Sequence, residues 1–290
     1  MSHRHTGLDE SAPLAYNGPV PKLYLVATPI GNLEDVSFRA LRVLKEVGLI
    51  AAEDTRRTRH LLDHYDIKTS LTSYHDYTSP AKLDGLLKSL AEKDMALVSE
   101  AGMPGISDPG YDLVVAAIER GITVVPVPGP SVVMSALAIS GLPTNQFTYL
   151  GFLPRQKGDR KRFLEAVAGE TRTLVILEAP HRIQASLADI QATLGDRRLA
   201  VCRELTKIHE EVFRGTVSQA TAHFKEPRGE FTLVVAGASG ERKAADMGSV
   251  IEELRVLKEQ GLTARDAVGQ VAATSGLPKK EVYRAWLGLE

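Results

Sequence analysis

A chain of 290 residues, 43% hydrophobic and 24% charged, has the balance of a globular protein large enough for two cores, which excludes a wholly disordered chain. Its 35 basic and 36 acidic residues leave a formal net charge of −1, so no global field draws it to phosphates and any nucleic-acid contact must come from a local patch. One cysteine, Cys202, excludes an internal disulfide and a multi-cysteine zinc site, and no run of about 18 apolar residues is present to span a membrane.

Residues 1–20 mix His, Gly, Asp, Ser and Pro without periodicity and read as a disordered tail with no signal-like apolar region. His3 and His5 within it are not expected to hold a metal, and no metal site is expected elsewhere. A soluble, cytoplasmic protein follows from these features. The first α/β domain is expected over 21–142. It opens on Leu23–Ala27, a short apolar run stopped by Thr28-Pro29-Ile30-Gly31-Asn32, which reads as a buried strand entering a turn. Phe38, Leu41, Leu44 and Val47 then mark one side of a helix, and Leu49–Ala52 is a second strand. Met95–Val98 is a third, ending at the glycine-rich loop Gly102–Gly110. A helix over Tyr111–Arg120, a strand over Ile122–Val127, the turn Pro128–Ser131 and a helix through Ala138 complete the domain. Strands alternating with helices imply crossovers and a mostly parallel sheet.

Gly141–Thr144 marks a boundary, and a second α/β domain is expected over 143–238. There strands at Phe147–Leu150, Thr173–Leu177, Leu199–Arg203 and Phe231–Ala236 alternate with helices at Arg160–Val167, Ile183–Leu194 and Ser218–Phe224. Ala238–Glu241 reads as a linker to a small helical extension over 245–290, in which Gly261 and Gly276-Leu277-Pro278 separate three helices.

Ligands of open α/β sheets bind at the carboxyl ends of strands. Thr28–Asn32, Glu100–Gly110 and Pro128–Ser131 share that position, and their Gly and Pro content permits unusual backbone angles and close approach. Any one of them reads as a tight turn; three at successive strand ends point to a pocket. None has the spacing of a phosphate-cradling loop, which argues against ATP, GTP and NAD and favours a neutral or cationic ligand held by backbone groups.

Longer motifs carry a specific resemblance. Val26–Leu33, Ala52–Arg56, Ser99–Gly110 and Pro126–Ser131 in the first domain, with Glu178–Arg182, Arg203–Lys207 and Glu210 in the second, resemble the tetrapyrrole-methylase superfamily. Within it they are most similar to the ribosomal RNA small subunit methyltransferase I family, over roughly residues 22–237. The resemblance implies two α/β domains with S-adenosylmethionine (SAM) in a cleft between them, a homodimer, and 2′-O-methylation of a cytidine near the decoding region of 16S ribosomal RNA in the small subunit. It also implies cofactor contacts at Pro29, Ala101, Gly102, Met103, Ile106, Ser131 and Val132, with Glu178 and Leu205 closing the site. The turn Ala27-Thr28-Pro29-Ile30-Gly31 departs from the superfamily's G-x-G-P-G-like loop, which turns the expectation from porphyrins toward RNA.

A ribose hydroxyl must lose its proton during or after attack on the methyl group, so a general base is expected near the acceptor. Glu53 and Asp54, oriented by Arg56, are candidates, as is Lys207 if burial lowers its pKa. Alternatively Glu53, Asp54 and Arg56 form an ion pair capping the next helix, and His181 and Arg182 either cap their helix or touch substrate. Arg155, Lys157, Arg160, Lys161 and Arg162 form a basic run suited to RNA phosphates. The helical extension reads equally as an RNA-gripping helix-turn-helix or as a packing element. Two other functions compete with rRNA methylation: methylation of a tetrapyrrole or other small molecule, and a non-catalytic module that binds ribosomes or RNA.

Overall fold

The computed structural model describes residues 21–239, 247–275 and 277–289; the expected tail with its two histidines, part of the expected linker and Gly276 lie outside the described residues. Contacts divide the chain into two units, one comprising residues up to Ser135 together with Leu205–Ile208, the other the remainder.

In the first unit, strands β1 (Lys22–Val26), β2 (Leu49–Ala52), β3 (Leu71–Ser73), β4 (Met95–Val98) and β5 (Thr123–Val127) form one sheet in the order β3-β2-β4-β1-β5. Every pairing is parallel, as the alternating pattern predicts. Side chains of successive strand residues point to opposite faces, and the core divides accordingly. Val26, Ile50, Ala52, Ala96, Val98 and Val127 pack with Leu44 of α1 (Phe38–Glu46) and Leu62 of α2 (Thr55–His64). Leu23, Ala51, Met95 and Leu97 pack on the other face with Leu87 and Leu90 of α3 (Pro80–Glu92) and Leu113 of α4 (Tyr111–Glu119). Helix starts are encoded locally. The side chains of Ser37, Asp54 and Ser79 accept hydrogen bonds from first-turn N–H groups of α1, α2 and α3, and Pro80 opens α3 where its missing N–H costs nothing.

A further helix, α5 (Val132–Ile139), ends within the second unit. There β6 (Phe147–Phe152), β7 (Thr173–Glu178), β8 (Arg198–Arg203), β9 (Glu211–Thr216) and β10 (Phe231–Val235) take the order β6-β7-β10-β8-β9. This sheet is mixed. Only β6 and β7 run parallel, whereas β10 is antiparallel to β7 and β8, and β8 is antiparallel to β9. The short connection from Arg203 to Glu211 turns the chain straight back, so no crossover helix intervenes and the parallel rule does not apply. Helices α6 (Lys157–Ala166), α7 (Ile183–Leu194) and α8 (Val217–His223) cover one face through Leu164, Leu187, Ile190 and Ala220. The extension is a three-helix unit, α9 (Met247–Glu259), α10 (Ala264–Ser275) and α11 (Lys279–Leu287), with its own core of Val250, Leu254, Ala267, Val271 and Val282. No helix among the described residues is long and apolar enough to cross a membrane.

One member of the basic run is part of this scaffold. Arg160 is buried at 5% exposure; its guanidinium donates to Asp189 at 2.7 Å and to the Pro154 and Arg155 carbonyls at 3.3 and 3.2 Å. Arg160→Ala leaves the nearly buried Asp189 without its cation and should lower stability by about 3–5 kcal/mol. Urea unfolding reads this as a lower midpoint at unchanged slope.

Candidate functional site

Because the first sheet is parallel, all five strands end on one rim, and β1 lies between β4 and β5. The three turns singled out in the sequence follow these neighbouring strands and come together. The Ala27 N–H donates to the Val127 carbonyl at 3.2 Å. Thr28 and Gly102 exchange two peptide hydrogen bonds, at 2.9 and 3.0 Å, forming an isolated antiparallel bridge. The Thr28 hydroxyl donates to the Ser99 carbonyl at 3.4 Å, and the Ser99 hydroxyl to that of Ala101 at 3.3 Å. Gly102 has φ +79°, a conformation that strains any residue bearing a Cβ. A Cβ there would stand 3.6 Å from Ile30 Cγ2 and 3.8 Å from the Pro130 carbonyl oxygen, so all three turns meet around this residue.

The expected cofactor contacts in this unit lie within these three turns or directly after them. Ala101 and Ile106 are exposed, whereas Pro29, Met103, Ser131 and Val132 are half-buried. The peptide N–H groups of Ala101 and Met103 have no acceptor among the described residues. Leu205 and Lys207, assigned to the second domain by their place in the chain, pack with the first unit. Gly31 is required by this approach, since a Cβ there would stand 2.5 Å from Lys207 Cγ and 2.9 Å from the Leu205 carbonyl oxygen. Thr206 adopts φ 67°, unfavourable for a β-branched residue. Its hydroxyl accepts the Asn32 N–H at 3.0 Å, which ties the strained segment to the first turn.

Glu178 lies in the second unit, 1% exposed, with both carboxylate oxygens occupied. One accepts from the Ser186 hydroxyl; the other accepts the Ala179 N–H at 2.9 Å and faces the Arg182 guanidinium at 3.3 Å. Arg182 also donates to the Leu153 and Pro154 carbonyls, so it holds its own unit together; His181 is exposed. Of the basic run, Arg155, Lys157, Lys161 and Arg162 are exposed, with Lys161 paired to Glu165 at 3.8 Å and Arg162 to Asp159.

The adjacent residues Glu53 and Asp54 differ in chemistry. Asp54 caps α2, accepting from the Arg56 and Arg57 N–H groups at 2.8 and 3.4 Å and meeting the Arg56 guanidinium at 3.4 Å. These bonds to the Arg56 backbone and side chain hold its carboxyl below the usual range. Glu53 accepts the Glu100 N–H at 3.2 Å, and burial, reinforced by Glu100 and Asp76, pushes its carboxyl up. Asp108, which the sequence did not single out within the glycine-rich loop, is pushed up to about 6 by burial and by Glu53. Only the fold brings Asp108 beside Glu53. Among the described residues no group of three or more His, Cys, Asp or Glu is placed to hold a metal ion.

The family profile described as Tetrapyrrole (Corrin/Porphyrin) Methylases matches residues 22–221. A protein of Halalkalibacterium halodurans named Ribosomal RNA small subunit methyltransferase I is 46% identical over 91% of this chain and 94% of its own length. One of the same name from Synechocystis is 48% identical over 92% and 98%. A crystal structure of diphthine synthase superimposes with a TM-score of 0.57 over 74% of this chain and 89% of its own at 14% identity, which shows the fold alone.

The meeting point of the turns fits SAM. Two free amide donors suit the acceptors of its base and carboxylate, exposed Ile106 offers an apolar surface to a flat ring, and the nearby carboxylates favour a sulfonium over a nucleotide phosphate. The chain belongs to the tetrapyrrole methylase family, within it to the ribosomal RNA small subunit methyltransferase I group, and is a methyltransferase whose cofactor is SAM.

Proposed function

We propose that this chain methylates the 2′-hydroxyl of a cytidine in 16S ribosomal RNA near the decoding region, acting on the small ribosomal subunit as a cytoplasmic homodimer. The observation that carries the reading is the convergence of the three turns around Gly102 in a chain whose relatives, 46–48% identical over nine-tenths of its length, bear the rRNA methyltransferase name.

Bound SAM supplies an electrophilic methyl group on a sulfonium. The protein's part is to hold donor and acceptor in line and to receive a proton. Backbone groups of Ala101–Met103, with Pro29, Ile106, Ser131, Val132 and Leu205, hold the cofactor. Glu53 takes the proton of the ribose hydroxyl, since a carboxylate raised toward neutrality is a better base than the cap Asp54. The charge of Glu53 in turn helps to keep the Asp108 carboxyl raised. Arg155, Lys157, Lys161 and Arg162 offer exposed charge to phosphates.

Labelled SAM incubated with small ribosomal subunits should yield methylated rRNA, with a gap in the alkaline ladder at the modified nucleotide. Glu53→Gln should lower turnover about 10²–10⁴-fold while SAM still binds. Incorporation only into a porphyrin-like compound, or RNA binding without transfer in every assembly state, would contradict the reading. A second expectation concerns Asp108. Its folded-state carboxyl titrates near about 6 rather than 3.8, so folding favours its protonated form. That stabilisation is complete below about pH 4 and is lost as pH rises through about 6. Asp108→Asn should flatten this pH dependence in urea unfolding between pH 4 and 7.

A further inference from the structure

Along the same rim, at the edge strand β3, lies an open groove of about 720 Å³ lined by Thr55, Arg56, Arg59, Thr72 and Ser73. Its cations are free to meet a ligand. The Arg56 side chain is 92% exposed, and its one ionic partner among the described residues is the capping carboxylate of Asp54, at 3.4 Å. Arg59 is exposed and has no acidic partner among the described residues. Lys82 donates to the Ser73 hydroxyl from α3 and closes the connection from Ser73 to α3 into a loop. Within that loop His75 and Thr78 form a tight turn: the Thr78 N–H donates to the His75 carbonyl at 2.8 Å, and the His75 N–H to the Thr78 hydroxyl at 2.9 Å. The turn holds Tyr77 93% exposed, an aromatic ring that the protein's core does not use.

We propose that this groove, with Tyr77, is the docking surface for an unpaired RNA strand, its phosphates on Arg56, Arg59 and Lys82 and a base stacked on Tyr77. Cations and hydroxyls in a groove, with an exposed ring four residues along the chain from its edge at Ser73, are the combination that single strands require, because phosphates supply the charge and every base a flat face. Two acids near the groove are otherwise engaged: Asp54 caps α2, and Asp66 pairs with Lys68 at 2.7 Å; Asp76, exposed next to Tyr77, leaves one negative charge in that loop, set against the cations of Arg56, Arg59 and Lys82. The location also fits. In the register of the sheet Ser73 pairs with Ala52, and Ala52 with Val98, so β3 ends two strands from the loop that begins at Ser99, on the order of 10 Å away. A strand seated in the groove reaches the turns around Gly102 within a few nucleotides. The inference rests on the rRNA reading and specifies how that substrate is held.

The test uses the full chain, an unstructured cytidine-rich RNA oligomer and fluorescence anisotropy at several salt concentrations. Arg56→Gln/Arg59→Gln should reduce the slope of log affinity against log salt by about 1.4, two phosphate contacts at about 0.7 each. Arg56→Lys/Arg59→Lys should restore it. Tyr77→Ala should weaken binding about fivefold or more with the slope intact. SAM affinity and thermal unfolding of each variant separate loss of the groove from loss of the fold. An unchanged slope in the glutamine variant, an unchanged affinity in Tyr77→Ala, or no binding by the unaltered chain overturns the proposal. Should the groove variants behave as expected while the unaltered chain transfers no methyl group to rRNA, the docking surface stands and the functional reading falls.

Discussion

Two peptide hydrogen bonds, exchanged between Thr28 and Gly102, clasp turns that lie far apart in the chain. They form because a parallel sheet delivers every carboxyl end to one rim and because β1 sits between β4 and β5. Everything else at the site depends on this clasp. It sets Gly102 in a backbone conformation open to glycine and leaves the amides of Ala101 and Met103 without acceptors among the described residues. Amides left open in this way can donate to a ligand rich in acceptors.

A second constraint comes from the strained segment around Thr206. A β-branched residue at positive φ costs on the order of 1–3 kcal/mol and persists only where its surroundings over-determine it. Here the hydrogen bond from Asn32 and the missing side chain of Gly31 do so, and they bring Leu205 and Lys207 to the first turn. Rigid turns on one side and strain held by them on the other make a preorganised site.

Much of this was legible in the sequence. The buried strand Met95–Val98 is a continuous apolar run and Phe231–Val235 is broken only by Thr232, and the turns after β1, β4 and β5 announce themselves by Gly and Pro. The extension's three helices followed from their stripes and from the glycines between them. What escaped has physical reasons. β3 has three residues, too few for a period; α2, with the sequence TRRTRHLLDH, has so few apolar positions that its stripe shrinks to Leu61 and Leu62. β9 is only half-buried and reads as a polar connection, and without it the second sheet's antiparallel majority is invisible. Nor does sequence adjacency reveal that Asp54 is a cap while Glu53 is desolvated, or that Asp108 folds back beside Glu53. The basic run looked uniform, yet burial takes Arg160 out of it. α3 was readable after all, from Ser79-Pro80 and the spacing of Leu83, Leu86, Leu87 and Leu90.

Amide hydrogen exchange with and without SAM tests the clasp most directly. The account predicts that the cofactor slows exchange at Ala101 and Met103 and across Thr28–Asn32 and Ser131–Val132, with little change in α6–α8. Protection confined to the second unit, with the amides around Gly102 exchanging as freely as before, would contradict it.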